Sequence, residues 1–181
     1  MKSVLRSIKP YWLYLTLTKQ KTIEVAKNRP ESESWNGIVE MYCSKDMQSF
    51  NRIPQKDRVW MSKYAGKVAC QFVCDKIITV DCDSVAPFDP VTNEYIQAET
   101  CLDRAAFIRY TNFKKAFGWH ISDLNIYDKP KELREFVIPC KTSCETCEKP
   151  LFYDCWREGG RIKVVTRPPQ SWCYVEGLQN D

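Results

Sequence analysis

The stretch from Ser3 to Ala26, SVLRSIKPYWLYLTLTKQKTIEVA, decides the reading of the fold. Ser3 to Ile8 suits a short strand. Pro10 follows at the first position of a helix, where its missing N–H costs no bond and its fixed φ is already helical, and Tyr11 to Thr18 supplies a short apolar helix. Thr22 to Ala26 then alternates, placing Ile23 and Val25 on one face and Thr22, Glu24 and Ala26 on the other. The opening is thus strand, helix, strand. So short a helix brings the ends of its two strands together, so Lys9 and Lys21 converge at one mouth while Thr22 and Glu24 project from the second strand. Two cations and a carboxylate there suit a ligand with a phosphate and a polar base edge. The plainer alternative makes both lysines solvated surface charges and Glu24 an exposed strand residue.

Outward from this unit, residues 28–36 read as a polar loop and Gly37 to Ser44 as a strand, followed by a polar stretch to about Lys63. Gly66 to Val80 is a long strand run with Val68, Cys70, Phe72 and Cys74 on one face and a bend or bulge near Asp75. Asp81 to Asn93 is a loop. Glu94 to about Phe117 has helical periodicity, with Gly118 as its stop, and His120 to Tyr127 is a strand. Asp128-Lys129-Pro130 starts a short helix that buries Leu133 and Phe136. Arg167-Pro168-Pro169-Gln170 leads into a last strand, Ser171 to Glu176. Strands separated by short helices and polar connections predict a mixed barrel or α+β domain, not a doubly wound sheet.

The chain has 181 residues, enough for one mid-sized domain, read here as 1–181, with a small insert at 140–161. Hydrophobic residues at 44% and charged residues at 28% exclude collagen, long coiled coil and wholesale disorder. A net charge of +4 leaves room for a basic patch without requiring an anionic partner. Ten cysteines imply either a disulfide framework or metal ligation. Met1 to Arg6 contains no uninterrupted apolar segment of a signal peptide, and no apolar run spans a bilayer, so the cytoplasm, reduced thiols and no membrane partner are expected.

Cys140-x3-Cys144-x2-Cys147-x7-Cys155 places four thiols within the insert. Four thiolates can surround a tetrahedral zinc ion at about 2.3 Å each and fold a segment too short and polar to fold itself; free or partly oxidised thiols are the alternative. No organic cofactor motif occurs. Cys43, Cys70, Cys74, Cys82 and Cys101 read as small buried hydrophobes. His120, the one histidine, reads as a hydrogen-bonded strand residue, and Trp12 and Trp119 as core. Gln170 offers a donor and an acceptor to a base edge and Trp172 a face for stacking, with burial of Trp172 in the core as the competing reading.

Ser7-Ile8-Lys9-Pro10, Lys21-Thr22-Ile23-Glu24, the run from Gly66-Lys67-Val68 to Cys74-Asp75-Lys76-Ile77, and Arg167 to Glu176 together resemble the ASCH family of the PUA-like superfamily, particularly its small phage- and prophage-encoded members. The resemblance implies a small mixed β-barrel with flanking helices that binds RNA or nucleotides in a cleft. In that cleft Ser7, Lys9, Lys21, Thr22, Glu24, Gln170 and Trp172 would be the binding residues. One branch of the family hydrolyses acetylcytidine, and there the resemblance implies a lysine, a threonine nucleophile and a glutamate. These fall on Lys21, Glu24 and Gln71, so only the lysine is kept. A carboxylate cannot replace a hydroxyl nucleophile without changing the reaction, and Gln71 cannot accept a proton as glutamate does. If the chain is an amidohydrolase of a modified nucleoside, Lys21 and Glu24 carry the chemistry by another route. The family signature runs Gly-x-Lys-x-x-Glu-x-Arg. Lys19 replaces its glycine and Ala26 its arginine, leaving Lys27 or Arg29 to compensate. A third reading makes the protein a phage factor that binds a host protein through the cysteine insert.

Overall fold

The computed structural model describes residues 2–31, 35–80, 98–138 and 163–177. The opening unit is β1 (Lys2–Ile8), α1 (Pro10–Leu17) and β2 (Ile23–Ala26). Pro10 occupies the start of α1, as expected, and Leu13 to Leu17 are all buried. The helix ends in a Schellman motif: the Lys19 N–H bonds the Thr16 carbonyl at 2.9 Å and the Gln20 N–H bonds that of Leu15 at 2.9 Å. Lys19 takes the left-handed φ of +59° that this motif requires. The signature position usually filled by glycine therefore has a conformational reason, and Lys19 meets it with a side chain.

β3 (Trp35–Cys43) is followed by two short helices, α2 (Met47–Phe50) and α3 (Gln55–Ser62), where the sequence suggested only a polar stretch. Asp46 caps α2 through the Ser49 N–H at 2.9 Å. The run 66–80 is two strands, β4 (Val68–Val73) and β5 (Ile77–Val80), and they belong to different sheets. The expected bend at Asp75 is the crossing point.

The helix expected over 94–117 is interrupted: residues 98–100 are helical, 101–103 are not, and α4 spans Arg104–Thr111 and stops on Asn112, at a left-handed φ of +52°. Gly118 does not stop it. It lies inside β6 (Ala116–His120), where an added Cβ would stand 2.8 Å from Ile78 Cγ1 and 2.9 Å from Ile23 Cγ2. Glycine is required there by close packing within a sheet. β7 (Ser122–Lys131) runs through Pro130, so the expected helix after Asp128 is reduced to one 3-10 turn (Leu133–Glu135) before β8 (Phe136–Ile138), β9 (Lys163–Val164) and β10 (Trp172–Gly177). Phe136 is buried as expected.

The strands form a seven-stranded sheet, β7-β4-β3-β1-β10-β8-β9, and a three-stranded sheet, β2-β6-β5. The α+β class holds. Among the described residues neither sheet closes on itself, so the expected closed barrel is replaced by two sheets continuous through a corner. The chain turns that corner twice, from β4 to β5 and from β6 to β7. Two bonds close it, His120 N–H to the Lys76 carbonyl at 2.9 Å and Ile121 N–H to that of Thr22 at 2.8 Å.

Alternation along β1 sends Val4, Arg6 and Ile8 to one face and Leu5 and Ser7 to the other. The first face joins the main core, with α1, Val39, Met41, Phe72 and Trp119. Leu5 joins a second core with Tyr42, Phe136 and Val175. No helix among the described residues is long and apolar enough to cross a membrane.

Candidate functional site

Arg6 is the charged residue that β1 places on its apolar face, and it is buried. Strand register puts it beside Trp172, while β2 and β6 pair Glu24 with Trp119. The large sheet thus presents an arginine and a tryptophan to a carboxylate and a tryptophan of the small one. Arg6 Nε donates to Glu24 Oε1 at 2.7 Å, and Nη2 also donates to the Val25 carbonyl at 2.7 Å. The guanidinium carbon lies 5.4 Å from the centre of the Trp119 ring.

Lys21 completes the cluster. The Schellman turn that ends α1 carries on to it, its N–H bonding the Leu15 carbonyl at 3.0 Å. Its ammonium reaches Glu24 Oε2 at 2.5 Å. Lys21 and Glu24 are each only 4% exposed. Burial works against the Glu24 carboxylate, but Lys21 and Arg6 outweigh it and hold the group below its usual range. For Arg6, burial is likewise outweighed by Glu24, with a smaller contribution from Tyr110 of α4. Two cations share one carboxylate, and Glu99, whose carbonyl accepts the Thr22 N–H at 2.9 Å, has a buried carboxylate oxygen without a hydrogen-bond partner among the described residues.

Aromatic rings line this cluster. Trp119 is fully buried and meets Trp35 at 5.9 Å and Trp172 at 6.2 Å between centroids; Trp172 meets Tyr174 edge-on at 5.4 Å. Trp172 and Trp35 are half-buried, so this wall reaches the surface. The Trp119 indole N–H and the Thr22 hydroxyl are buried without a hydrogen-bond partner among the described residues.

Lys21 and Glu24 are in contact, Thr22 lies between them in the chain, and Trp172 is joined to them through Arg6 and Trp119. Ser7 lies on the opposite face of β1, where its hydroxyl donates to the Pro169 carbonyl at 2.7 Å; its N–H bonds the Ser171 carbonyl at 3.0 Å. Both bonds fix the turn that carries Gln170, which is exposed. Lys9 is exposed and ion-pairs with Asp46 at 3.0 Å, beside α2. Lys27 and Arg29 do not reach Glu24; they lie over Tyr110 at 5.2 Å and Phe117 at 5.6 Å. The guanidinium beside the carboxylate comes from Arg6, which the sequence reading missed. Its signal was an arginine in phase with Val4 and Ile8.

Gln71 stands apart from Lys21 and Glu24. Its register partner is Glu40, on the Leu5 face of the large sheet. There the Tyr127 hydroxyl contacts Glu40 Oε2 at 2.7 Å and Gln71 Oε1 at 2.9 Å, and Lys131 approaches Glu40 Oε1 at 3.8 Å. Burial raises the Glu40 carboxyl, against the pull of Tyr127 and Lys131.

His120 bonds Asp75 at 2.6 Å, which lowers the Asp75 carboxyl. Cys43, Cys70 and Cys74 are buried, and burial pushes the Cys43 and Cys74 thiols up to about 12 and raises Cys70, so none is a thiolate at neutral pH. Cys101 is half-buried, with its sulfur 3.2 Å from the Gln20 carbonyl. Among the described residues no three metal-ligating side chains cluster. Cys82, Cys140, Cys144, Cys147 and Cys155 lie outside the described residues.

The fold is that of ASCH domains. The chain is similar to the crystal structure of ASCH from Zymomonas mobilis, with a TM-score of 0.57 and 14% identity over 97% of this chain and 88% of that one. Two mutants of that protein give TM-scores of 0.57 and 0.56, again at 14% identity, covering 91% and 89% of their chains. No family model and no curated protein matches the sequence.

Proposed function

We propose that the protein binds RNA or a nucleotide in the cleft bounded by Arg6, Lys21, Glu24 and Trp172. The observation that carries this reading is that Arg6 and Lys21 both bond Glu24 at a buried place, with the half-buried Trp172 beside Arg6 on the next strand. Two cations there suit an anionic ligand, and phosphate is the anion that comes with a flat group able to stack on an indole. The unpaired Trp119 N–H and Thr22 hydroxyl are further polar atoms for such a ligand. Gln170, on the turn held by Ser7, is the rim residue that reads a base edge, and Lys9, neutralised by Asp46, stands outside the cleft. The solved structures named above, from an ASCH protein, share this fold.

Binding fits the geometry better than hydrolysis. Glu24 has a cation on each oxygen and is held ionised, which makes it a weak base, and among the described residues no hydroxyl or thiolate nucleophile is activated beside it.

Calorimetric titration of nucleosides, nucleotides and short single-stranded RNA tests the reading. Lys21→Ala removes one of the two cations, and Trp172→Ala removes the stacking face. Each should weaken binding about tenfold or more, since a base stack alone contributes roughly 1–3 kcal/mol. Unchanged affinity in both variants rejects the cleft. Turnover of acetylcytidine that disappears in Lys21→Ala would replace the binding reading with the hydrolase.

A further inference from the structure

Arg52 follows α2, and its guanidinium carbon lies 4.0 Å from the centre of the Tyr11 ring and 5.2 Å from that of Trp12. Trp12 also has the Lys21 ammonium 5.3 Å from its centre. One indole therefore links the buried end of the cleft to an exposed arginine. Tyr11 meets Trp12 edge-on at 5.3 Å, and both rings are half-buried, so the strip continues along the surface.

Local structure delivers Arg52 to this position. The Tyr11 N–H bonds Ser49 Oγ at 3.0 Å, which clamps α2 to the start of α1, and the Arg52 N–H bonds the Ser49 carbonyl at 3.2 Å. Neighbouring cations are occupied. Lys9 pairs with Asp46, Lys21 with Glu24, and Arg58 donates to the Ile53 and Asn51 carbonyls at 2.9 and 2.7 Å. Only backbone and ring contacts are seen for Arg52: among the described residues its guanidinium has no acidic partner and no hydrogen-bond acceptor. A guanidinium stacked by one face on tyrosine is already oriented, with its N–H edge left for a phosphate and its outer face for a base.

We propose that Arg52, Tyr11 and Trp12 form a second nucleotide subsite, so that the ligand is a single strand of RNA running from the Lys21–Trp172 cleft over Trp12 to Arg52. This rests on the nucleotide reading of the cleft and narrows it from a free nucleotide to a strand. The subsite takes the neighbouring phosphate on the Arg52 edge, and the next base stacks on the guanidinium plane.

Calorimetry with unlabelled adenosine 5′-monophosphate and tetra-adenylate, at two salt concentrations, tests this on the full chain, Arg52→Ala and Arg52→Lys. The wild type should bind the tetranucleotide at least tenfold more tightly than the monophosphate. Arg52→Ala should lose about tenfold for the tetranucleotide alone and flatten its salt dependence by about 0.7, the slope expected for one phosphate on a single strand. Arg52→Lys should keep the salt slope while losing part of the affinity, because lysine holds charge without a plane. Unchanged monophosphate affinity in both variants shows that the fold is intact. Equal affinity of the wild type for both probes, or equal weakening of both by Arg52→Ala, overturns the subsite and leaves the cleft standing. Failure of the wild type to bind either probe removes the nucleotide reading, and the subsite with it.

Discussion

Glu24 and Glu40 are both buried, and their surroundings push them in opposite directions. Glu24, between Arg6 and Lys21, is held below its usual range. Its contribution to stability is present above the unfolded value of about 4.3 and is lost as pH falls through the depressed folded value. Glu40 is raised, so its contribution runs the other way: present below about pH 4.3 and lost as pH rises through the folded value. The Tyr127 hydroxyl has one proton for two acceptor oxygens, and a protonated Glu40, or a Gln71 amide turned by half a rotation, satisfies the second contact. At pH 7, Glu24→Gln should therefore cost roughly 3–5 kcal/mol, because it strands two buried cations. Glu40→Gln, which imitates the neutral acid that burial favours, should be neutral or mildly stabilising. Denaturant titrations at pH 7 and pH 4 check both, and equal penalties at pH 7 would refute the assignment. The sequence reading put Lys21 and Glu24 at one mouth as contacts for a ligand, not as a buried pair. Arg6 escaped it because its signal, an arginine in phase with Val4 and Ile8, names no partner; only the pairing of distant strands supplies one.

At the scale of the element, Lys19 shows how a local rule was readable while its reason was not. A glycine was expected at this position from resemblance alone; the structure supplies the left-handed φ of +59° behind it. Relieving the Cβ strain should let Lys19→Gly stabilise the protein, by about 0.5–1 kcal/mol after the extra freedom of the unfolded glycine is subtracted. Lys21 hangs from the same turn, so ligand affinity should be unchanged. Thermal denaturation and a binding titration read the two effects separately, and a loss of stability would mean that the Lys19 side chain makes a contribution larger than its strain. β1, α1, β2, β3 and β10 were legible because each is short, patterned and bounded by polar or proline signals. The run 66–80 was legible only as one bent strand: Asp75-Lys76 marks the bend, but the change of sheet depends on pairing partners that the local pattern does not name. Gly118 misled for a related reason: a glycine after a helical pattern reads as a stop, and only the approach of Ile23 and Ile78 from both neighbouring strands identifies it as a packing requirement.

Across the whole molecule, the two sheets are joined by the buried bond from Arg6 to Glu24, by the packing of Trp119 against Trp35 and Trp172, and by two continuous crossings of the chain. The α+β class was readable from the succession of short strands and helices, whereas the division into two sheets was not, because sheet membership depends on non-local pairing. That division has a thermodynamic consequence. The small sheet has three short strands and depends on the large one to cover Trp119 and Glu24, and a sheet of that size is marginal without a partner surface. Loss of either sheet exposes the same tryptophans and strands the same charges. Unfolding should therefore be one transition, with tryptophan fluorescence, which reports the junction, coinciding with far-ultraviolet circular dichroism, which reports all strands. A ligand that spans the junction should move both curves together, by about 2.7 kcal/mol at a hundredfold excess over its dissociation constant. Fluorescence that changes well before the dichroism, or a ligand that shifts only one of them, would mean that the sheets unfold separately and that the Arg6–Glu24 bond is not what couples them.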